Sequence, residues 1–471
     1  MLTAAEHNNT RPKGRPDMSF YNSLLWKRIQ DERGSLALEP EDNKESRDSL
    51  QAAAVECLLT YKRLLLQWGT GVGKSRVAVQ SIQSLVLMGK KRILLLVAET
   101  DHKRNWKKEF IDHYGEEWGD YLFSCLVVEC YQSLKNYRDT EWDLIVADEA
   151  HHLRSDKRVY DFCTLSAEFI LCVSATISDK GDAEKLLSNL RVTFGEFQEM
   201  NFSVQQGIDN GFIGKPEIYI HLLSISSVRV MQSISVRWGA PYHRKEVECS
   251  MEVLKKMRED KKRWPSVEAT VICRADEAYD YLCDEISEKQ EEIRQLRNDL
   301  DQKPEEEKRI SKKIKYTETE IKQLGSQRKL LLGRCKTLYA RALLKRLREQ
   351  RYICFCTDVE QAEALGAESA ISSSRSQKAN ASVIASFNDG KTDSLFAVGM
   401  VQEGTNLTGI QVGVIIQLGG KERNFIQRFG RAIRAENPIQ HLIVMDNTKD
   451  VDYCNTALEK IRTDYIKIIN P

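Results

Sequence analysis

The sequence predicts an α/β protein of two units in tandem, each built on a parallel sheet, with an antiparallel helical hairpin inserted in the second. Three observations carry this. Short apolar runs alternate with helix-length segments in two separate stretches of the chain. The runs are apolar throughout, as strands buried on both faces of a parallel sheet are. Between the later runs lies a highly charged stretch whose apolar residues recur at spacings of three, four and seven.

The 471 residues exceed one ordinary core and suggest two to four domains. Residues 1–46 are polar, with one amphipathic piece, "SFYNSLLWKRI", and are expected to be an extension, partly ordered at best. The first unit, 47–213, holds runs at 63–67, 92–98, 125–129, 143–148 and 169–174. The second unit, 214–471, opens on "GKPEIYIHLLSIS", an alternating candidate strand. Its further runs lie at 351–356, 394–400, 412–418 and 441–446. The insertion spans about 276–350. Ile286, Ile293, Leu296 and Leu300 mark one arm, and Ile310, Ile314, Ile321, Leu324 and Leu331 mark the other. Pro304 marks the turn between them. The spacing predicts a coiled-coil pairing, with arms of roughly 30 Å at 1.5 Å per residue. Such a hairpin is either a solvated spacer or a contact for nucleic acid or a protein partner.

Hydrophobic residues make up 41% and charged residues 30%, which fits a soluble protein carrying something highly charged. The net charge of +1 neither requires nor excludes a nucleic-acid partner, because a local basic groove is invisible in a balanced total. Twelve cysteines sit mostly inside apolar runs, with no Cys-x-x-Cys pair. Cys354 and Cys356 share a face of a strand without a second pair, so buried reduced thiols and a reducing compartment are expected, not a structural metal. The first residues have no apolar core like that of a signal peptide, and no run of about 18 apolar residues predicts a membrane span. A cytoplasmic setting follows, host cytoplasm if the source is viral, with the nucleus left open.

The stretch "LLLQWGTGVGKS", 64–75, reads as a strand entering a glycine-rich turn that closes on Lys74 and Ser75. Glycines let backbone N–H groups approach phosphate oxygens, and a helix beginning near Lys74 adds its positive end. Lys74 would bridge the outer phosphates and Ser75 would ligate magnesium. Trp68 stands where the full pattern has glycine. "DLIVADEAHH" is a buried strand ending in two carboxylates. Asp148 suits magnesium and Glu149 suits the orientation of an attacking water. In "FIQRFGRAIR", Gln427, Arg431 and Arg434 stand at i, i+4 and i+7, one face of a helix, from which the guanidiniums would meet charge developing on a phosphoryl group.

Together and in this order, these stretches resemble the superfamily 2 helicases and translocases of the DEAH-box kind, over about 47–225 and 335–450. "GTGVGKS" looks like motif I, with Thr70, Gly71, Gly73, Lys74 and Ser75 holding the nucleotide. "DEAH", 148–151, looks like motif II, and Ser174-Ala175-Thr176 like motif III. "QEGTNLTG", 402–409, looks like motif V and "QRFGRAIR", 427–434, like motif VI. "VAETDHKRNWKKEF" and "CYQSL" are weaker echoes of motif Ia and the segment after it, and Gln51 is a candidate adenine-reading glutamine.

The resemblance implies two RecA-like domains with ATP and Mg2+ in the cleft between them. It implies that Thr100, Ser133 and Thr405 meet the nucleic-acid backbone and that Asn406 lies near the cleft. It further implies that His151, Ser174 and Thr176 couple the cleft to domain closure. "DEAHHLRSDK" with "RNWKKEF" is similar to the Swi/Snf-type translocases and phage-type DNA helicases, although Ile177 replaces the proline common after Ser-Ala-Thr. The implied activity is an ATP-dependent DNA helicase or translocase. The alternatives are an RNA helicase and a nucleic-acid-binding scaffold with the fold but little turnover.

Overall fold

Parallel pairing organises both α/β units. The computed structural model describes residues 19–34, 46–174, 182–260, 262–302, 306–398, 407–419 and 437–470. Thr176, Thr405, Asn406, Gln427, Arg431 and Arg434, all singled out above, lie outside them, as does Pro304.

The first unit has β1 (Arg63–Trp68), β2 (Ile93–Val97), β3 (Leu126–Cys130), β4 (Glu141–Asp148), β5 (Ser166–Ser174) and β6 (Gln198–Phe202). They lie in the order β3-β2-β4-β5-β1-β6, every pair parallel. All five residues of β2 are buried, as a strand covered on both faces must be. Because the strands run one way, their carboxyl ends share one edge, where ligands of open α/β sheets bind.

The second unit contributes β7 (Glu217–Ser224), β8 (Gln232–Trp238), β9 (Lys245–Ser250), β10 (Val267–Cys273), β11 (Tyr352–Cys356), β12 (Ala370–Ile371), β13 (Ser394–Val398), β14 (Val412–Ile415), β15 (Ile439–Asp446) and β16 (Ile466–Ile469). Seven form a parallel sheet, β12-β13-β11-β14-β15-β7-β16, so the alternating "EIYIHLLS" run does belong to it. The two large sheets, flanked by helices, are two RecA-like domains in tandem. A separate three-stranded sheet, β8-β10-β9, was not anticipated. Its strands carry Ser, Thr, Glu and Arg on the outer face, which hides them beside the charged stretch that follows.

The amphipathic piece before the first unit packs against the second. Helix α1 (Leu24–Gly34) follows a short turn, and Phe20, Leu25 and Ile29 are buried. The Phe20 N–H donates to Asp446 at 2.7 Å. The Arg28 guanidinium donates to the carbonyls of Leu458, Glu459 and Ile461, three acceptors at the end of the helix Lys449–Leu458. Helix ends leave such carbonyls without intrahelical partners. Helix α2 (Arg47–Tyr61) then opens the first unit, its N-cap Ser46 accepting from the Ser49 N–H.

The hairpin is formed by the helices Ala275–Gln302 and Glu307–Cys335. Lys289–Glu320, Lys313–Glu292 and Arg297–Glu318 pair across them, a ladder that fixes the antiparallel sense. Arms of 28 and 29 residues run about 42 Å, longer than expected. The difference lies at the base, where Ala278, Tyr279, Leu282, Leu331 and Leu332 join the core over the three-stranded sheet. Gly333 lets the second arm approach β11, since a Cβ there would lie 2.0 Å from the Thr357 hydroxyl. Gln361 donates to the Gly333 carbonyl at 2.8 Å.

The next residue but two, Lys336, is fully buried in an ion pair with the equally buried Asp450. Its ammonium also donates to the carbonyl of Ile416 and to Gln417 Oε1, each at 2.9 Å, and Gln417 donates to Asp450 at 2.6 Å. The hairpin base, the end of β14 and the start of the helix Lys449–Leu458 therefore meet in one polar network. Lys336→Met should strand the Asp450 carboxylate and cost about 3–5 kcal/mol, while adding Asp450→Leu should recover part of that. Urea unfolding of the two variants measures the difference.

His221 and His441 face each other across β7 and β15, Nε2 to Nδ1 at 2.8 Å, with the Tyr339 hydroxyl 2.8 Å from His221 Nδ1. Burial holds both imidazoles down to about 4, helped by Arg346 at His221 and by His221 at His441. The unfolded chain binds protons here first, so stability falls as pH drops from the ordinary 6.5 toward 4. Urea midpoints across that window should fall less in His441→Gln than in the wild type.

Candidate nucleotide site

β1 ends at Trp68, and helix α3 (Lys74–Leu87) begins six residues later. The turn between them is made by Gly71 and Gly73, with φ of 93° and 103°, the left-handed region that glycine enters without strain. Gly73 is also where a side chain has no room. A Cβ would lie 2.1 Å from Gln51 Nε2. Trp68, the departure from the glycine pattern, is absorbed by the core, its fully buried ring tilted against Phe202 at 6.3 Å. Only its carbonyl serves the turn, accepting from Lys74 Nζ at 2.9 Å, with the Gly69 carbonyl at 3.4 Å. No side chain caps α3, so its first-turn N–H groups and Ser75 sit at the mouth of the loop beside half-buried Thr70.

Gln51 does not stand apart from this loop. It is fully buried on α2, donating from Nε2 to the Val72 carbonyl at 3.1 Å. Its Oε1 has no partner among the described residues.

Two strands away along the same edge, β4 delivers Asp148 and Glu149. The Trp106 indole on helix α4 (Thr100–Tyr114) donates to Asp148 Oδ2 at 2.9 Å. The Tyr131 hydroxyl donates to the Asp148 carbonyl at 2.6 Å, and its ring stacks on His152 at 5.8 Å. Burial and the adjacent Glu149 carboxylate push the Asp148 carboxyl up to about 7, against the pull of the Trp106 indole and the Lys74 ammonium. Glu149 takes a left-handed φ of 50°, which turns the chain at the strand end. Its carboxylate is 3.3 Å from His151 Nδ1, which is 3.3 Å from Ser174 Oγ. The end of β4 and the end of β5 are thus joined through His151.

Thr100 and Ser133 follow β2 and β3, farther along this edge. Thr100 is exposed, its hydroxyl 3.8 Å from Cys130 Sγ, and Ser133 is half-buried in the turn Tyr131–Tyr137. The structure therefore brings Thr70, Gly71, Gly73, Lys74, Ser75, Asp148, Glu149, His151 and Ser174 onto one edge, with Gln51 beneath the loop. Sequence reasoning missed Trp106 and Tyr131 as supports of Asp148. Their only signal was an aromatic inside each of two stretches already read as motif echoes.

This donor set fits a magnesium-bound polyphosphate. A glycine turn where a Cβ would clash, an uncapped helix start and one lysine suit phosphate oxygens. Two neighbouring carboxylates, one of them buried at a cost, suit a divalent cation.

Two family models match the chain: the type III restriction enzyme res subunit over residues 44–179, and the helicase conserved C-terminal domain over 335–436. Together the two matches place the chain in the superfamily 2 helicase family. Its family domains imply use of ATP and binding of nucleic acid. Among solved structures, the helicase domain of Pyrococcus furiosus Hef is 15% identical at a TM-score of 0.44, over 87% of this chain and 96% of that one. The ATP-dependent Type ISP restriction-modification enzyme LlaBIII, solved bound to DNA, is 10% identical at a TM-score of 0.49. That match covers 93% of this chain and 32% of LlaBIII, so the chain spans about a third of its length. No curated protein matches.

Replacing Tyr131 by Phe should remove the hydroxyl donor at the Asp148 carbonyl and lower stability by about 1 kcal/mol. Gly73→Ala should cost more, through both the left-handed φ and the collision with Gln51. Denaturant unfolding ranks the two.

Proposed function

We propose that this superfamily 2 helicase is an ATP-driven, DEAH-box DNA helicase or translocase, stimulated by the nucleic acid it moves along. The observation that carries this is the shared edge on which Lys74 and the Asp148–Glu149 pair meet, close enough for the Lys74 charge to act on Asp148. The match of 44–179 to a restriction-enzyme subunit supports DNA over RNA. Buried thiols, such as Cys172 and Cys354 in the sheets and Cys454 on the helix Lys449–Leu458, agree with a reducing cytoplasmic setting.

In this reading the loop amides and Lys74 hold the outer phosphates, and Ser75 and Asp148 hold Mg2+, which supplies charge neutralisation on those phosphates. Gln51 holds the loop from beneath, its free Oε1 an acceptor for the base. Trp106 keeps Asp148 oriented. Glu149 accepts a proton from the attacking water. Arg431 and Arg434, with Gln427 and Asn406, complete the site from the second unit and stabilise charge on the transferred group. Thr100, Ser133 and Thr405 grip the nucleic-acid backbone, while His151, Ser174 and Thr176 transmit closure between the units.

Phosphate release should be measured with no nucleic acid and with duplex DNA, single-stranded DNA or RNA added. Stimulation by DNA is expected. Lys74→Ala and Glu149→Gln should each lower the stimulated rate about 10²–10³-fold, the usual loss for an electrostatic or proton-transfer group. Stimulation by RNA alone would favour an RNA helicase. Rates indifferent to both substitutions would leave a scaffold with the fold but without turnover.

A further inference from the structure

The two arms of the hairpin differ sharply in charge. The first arm carries ten Asp/Glu against three Lys/Arg, and the second carries nine Lys/Arg against three Asp/Glu. Attraction between the arms uses only part of this. On the second arm, Glu318 and Glu320 turn inward and pair with Arg297 and Lys289. Lys313 also turns to its neighbour, pairing with Glu292.

What remains on the second arm is a row of Lys308, Lys312, Lys315 and Lys322, at i, i+4, i+7 and i+14. That spacing keeps them on one helix face. Ile310, Ile314, Thr317 and Ile321 occupy the opposite face, against the first arm, so the row points directly away from the pairing surface. All four lysines are exposed, and none forms an ion pair with a described residue. Thr319 and Ser326 fill the row between and beyond them, and no acidic residue interrupts it. Tyr316, 63% exposed, flanks it. The outer face of the first arm is the reverse, with Asp284, Glu288 and Glu291 exposed.

We infer that the lysine row of the second arm is a docking surface for the phosphate backbone of a nucleic-acid duplex, distinct from the nucleotide site. The row spans about 21 Å at 1.5 Å per residue. It is borne by one continuous helix, held at its base by the Lys336–Asp450 network. A rigid cationic row suits a rigid duplex, which carries one charge per about 1.7 Å of axis. Single-strand sites instead combine a groove with successive aromatic platforms, and one flanking tyrosine supplies neither. The acidic arm, repelled by phosphate, fixes which side of the hairpin faces the duplex. The inference rests on the nucleic-acid-dependent reading of the chain and adds where, outside the cleft, the duplex is held.

The test is fluorescence-anisotropy binding of labelled 30-mer duplex DNA, single-stranded DNA and duplex RNA across a salt series, with full-length wild type and Lys308→Ala/Lys312→Ala/Lys315→Ala/Lys322→Ala. Alanine favours helix, so the arm is kept, and thermal unfolding checks it. Basal phosphate release should be unchanged. For duplex DNA the variant's slope of log affinity against log salt should be shallower by about 3 to 4, near 0.9 per lost phosphate contact. An unchanged slope with intact wild-type binding overturns this inference and leaves the proposed function standing. Equal changes for single-stranded and duplex DNA overturn the duplex assignment. A wild-type chain that binds none of the probes overturns both readings.

Discussion

A carboxylate buried at a strand end is the constraint around which the first unit is arranged. Asp148 closes β4 inside the sheet edge, where burial and Glu149 both oppose its charge. The surrounding chain answers from three directions. The Trp106 indole donates to the carboxylate, the Tyr131 hydroxyl holds its carbonyl, and the Lys74 ammonium lowers the cost of ionisation. Those three residues follow β2, β3 and β1, so the parallel order of the sheet is what lets them converge. A group kept ionisable at such cost is typical of a site that works on charge.

The second unit meets a comparable problem with a different solution. Lys336 and Asp450 are both withdrawn fully from water, and each is supplied with further hydrogen bonds from Gln417 and backbone. Desolvation makes such a pair a weak source of net stability, and its geometric demand is what matters. Three elements can satisfy it only in one arrangement, and one of them is the root of the hairpin. The arms are thereby fixed to the sheet rather than hung from it, which lets a row of surface charges keep a direction.

Much of the architecture was legible because its signals are local. A strand buried on both faces must be apolar at every position, so β1, β2, β4, β11 and β15 stood out within a residue or two of their ends, while β5 starts three residues before its apolar run, on the exposed Ser166. The glycine turn and the Asp148–Glu149 strand end are short and contiguous, and the structure brings them to one edge. The hairpin was legible from periodicity, although its base was not, since Ala278 and Leu282 pack on a sheet whose half-polar strands hid it. The supports of Asp148 were illegible for another reason. Trp106 lies 42 residues from its acceptor, and nothing local distinguishes an indole that orients a carboxylate from one that fills a core. The same holds for Phe20, Leu25 and Ile29, whose burial is decided by the far end of the chain.

The most direct measurement is a crystal structure of the full chain with magnesium and a non-hydrolysable ATP analogue. The account predicts a triphosphate lying along residues 69–75, the metal between Ser75 and Asp148, and the guanidinium groups of Arg431 and Arg434 turned toward the terminal phosphate. A nucleotide bound elsewhere, or phosphates on this loop with both arginines directed away from it, would contradict the account.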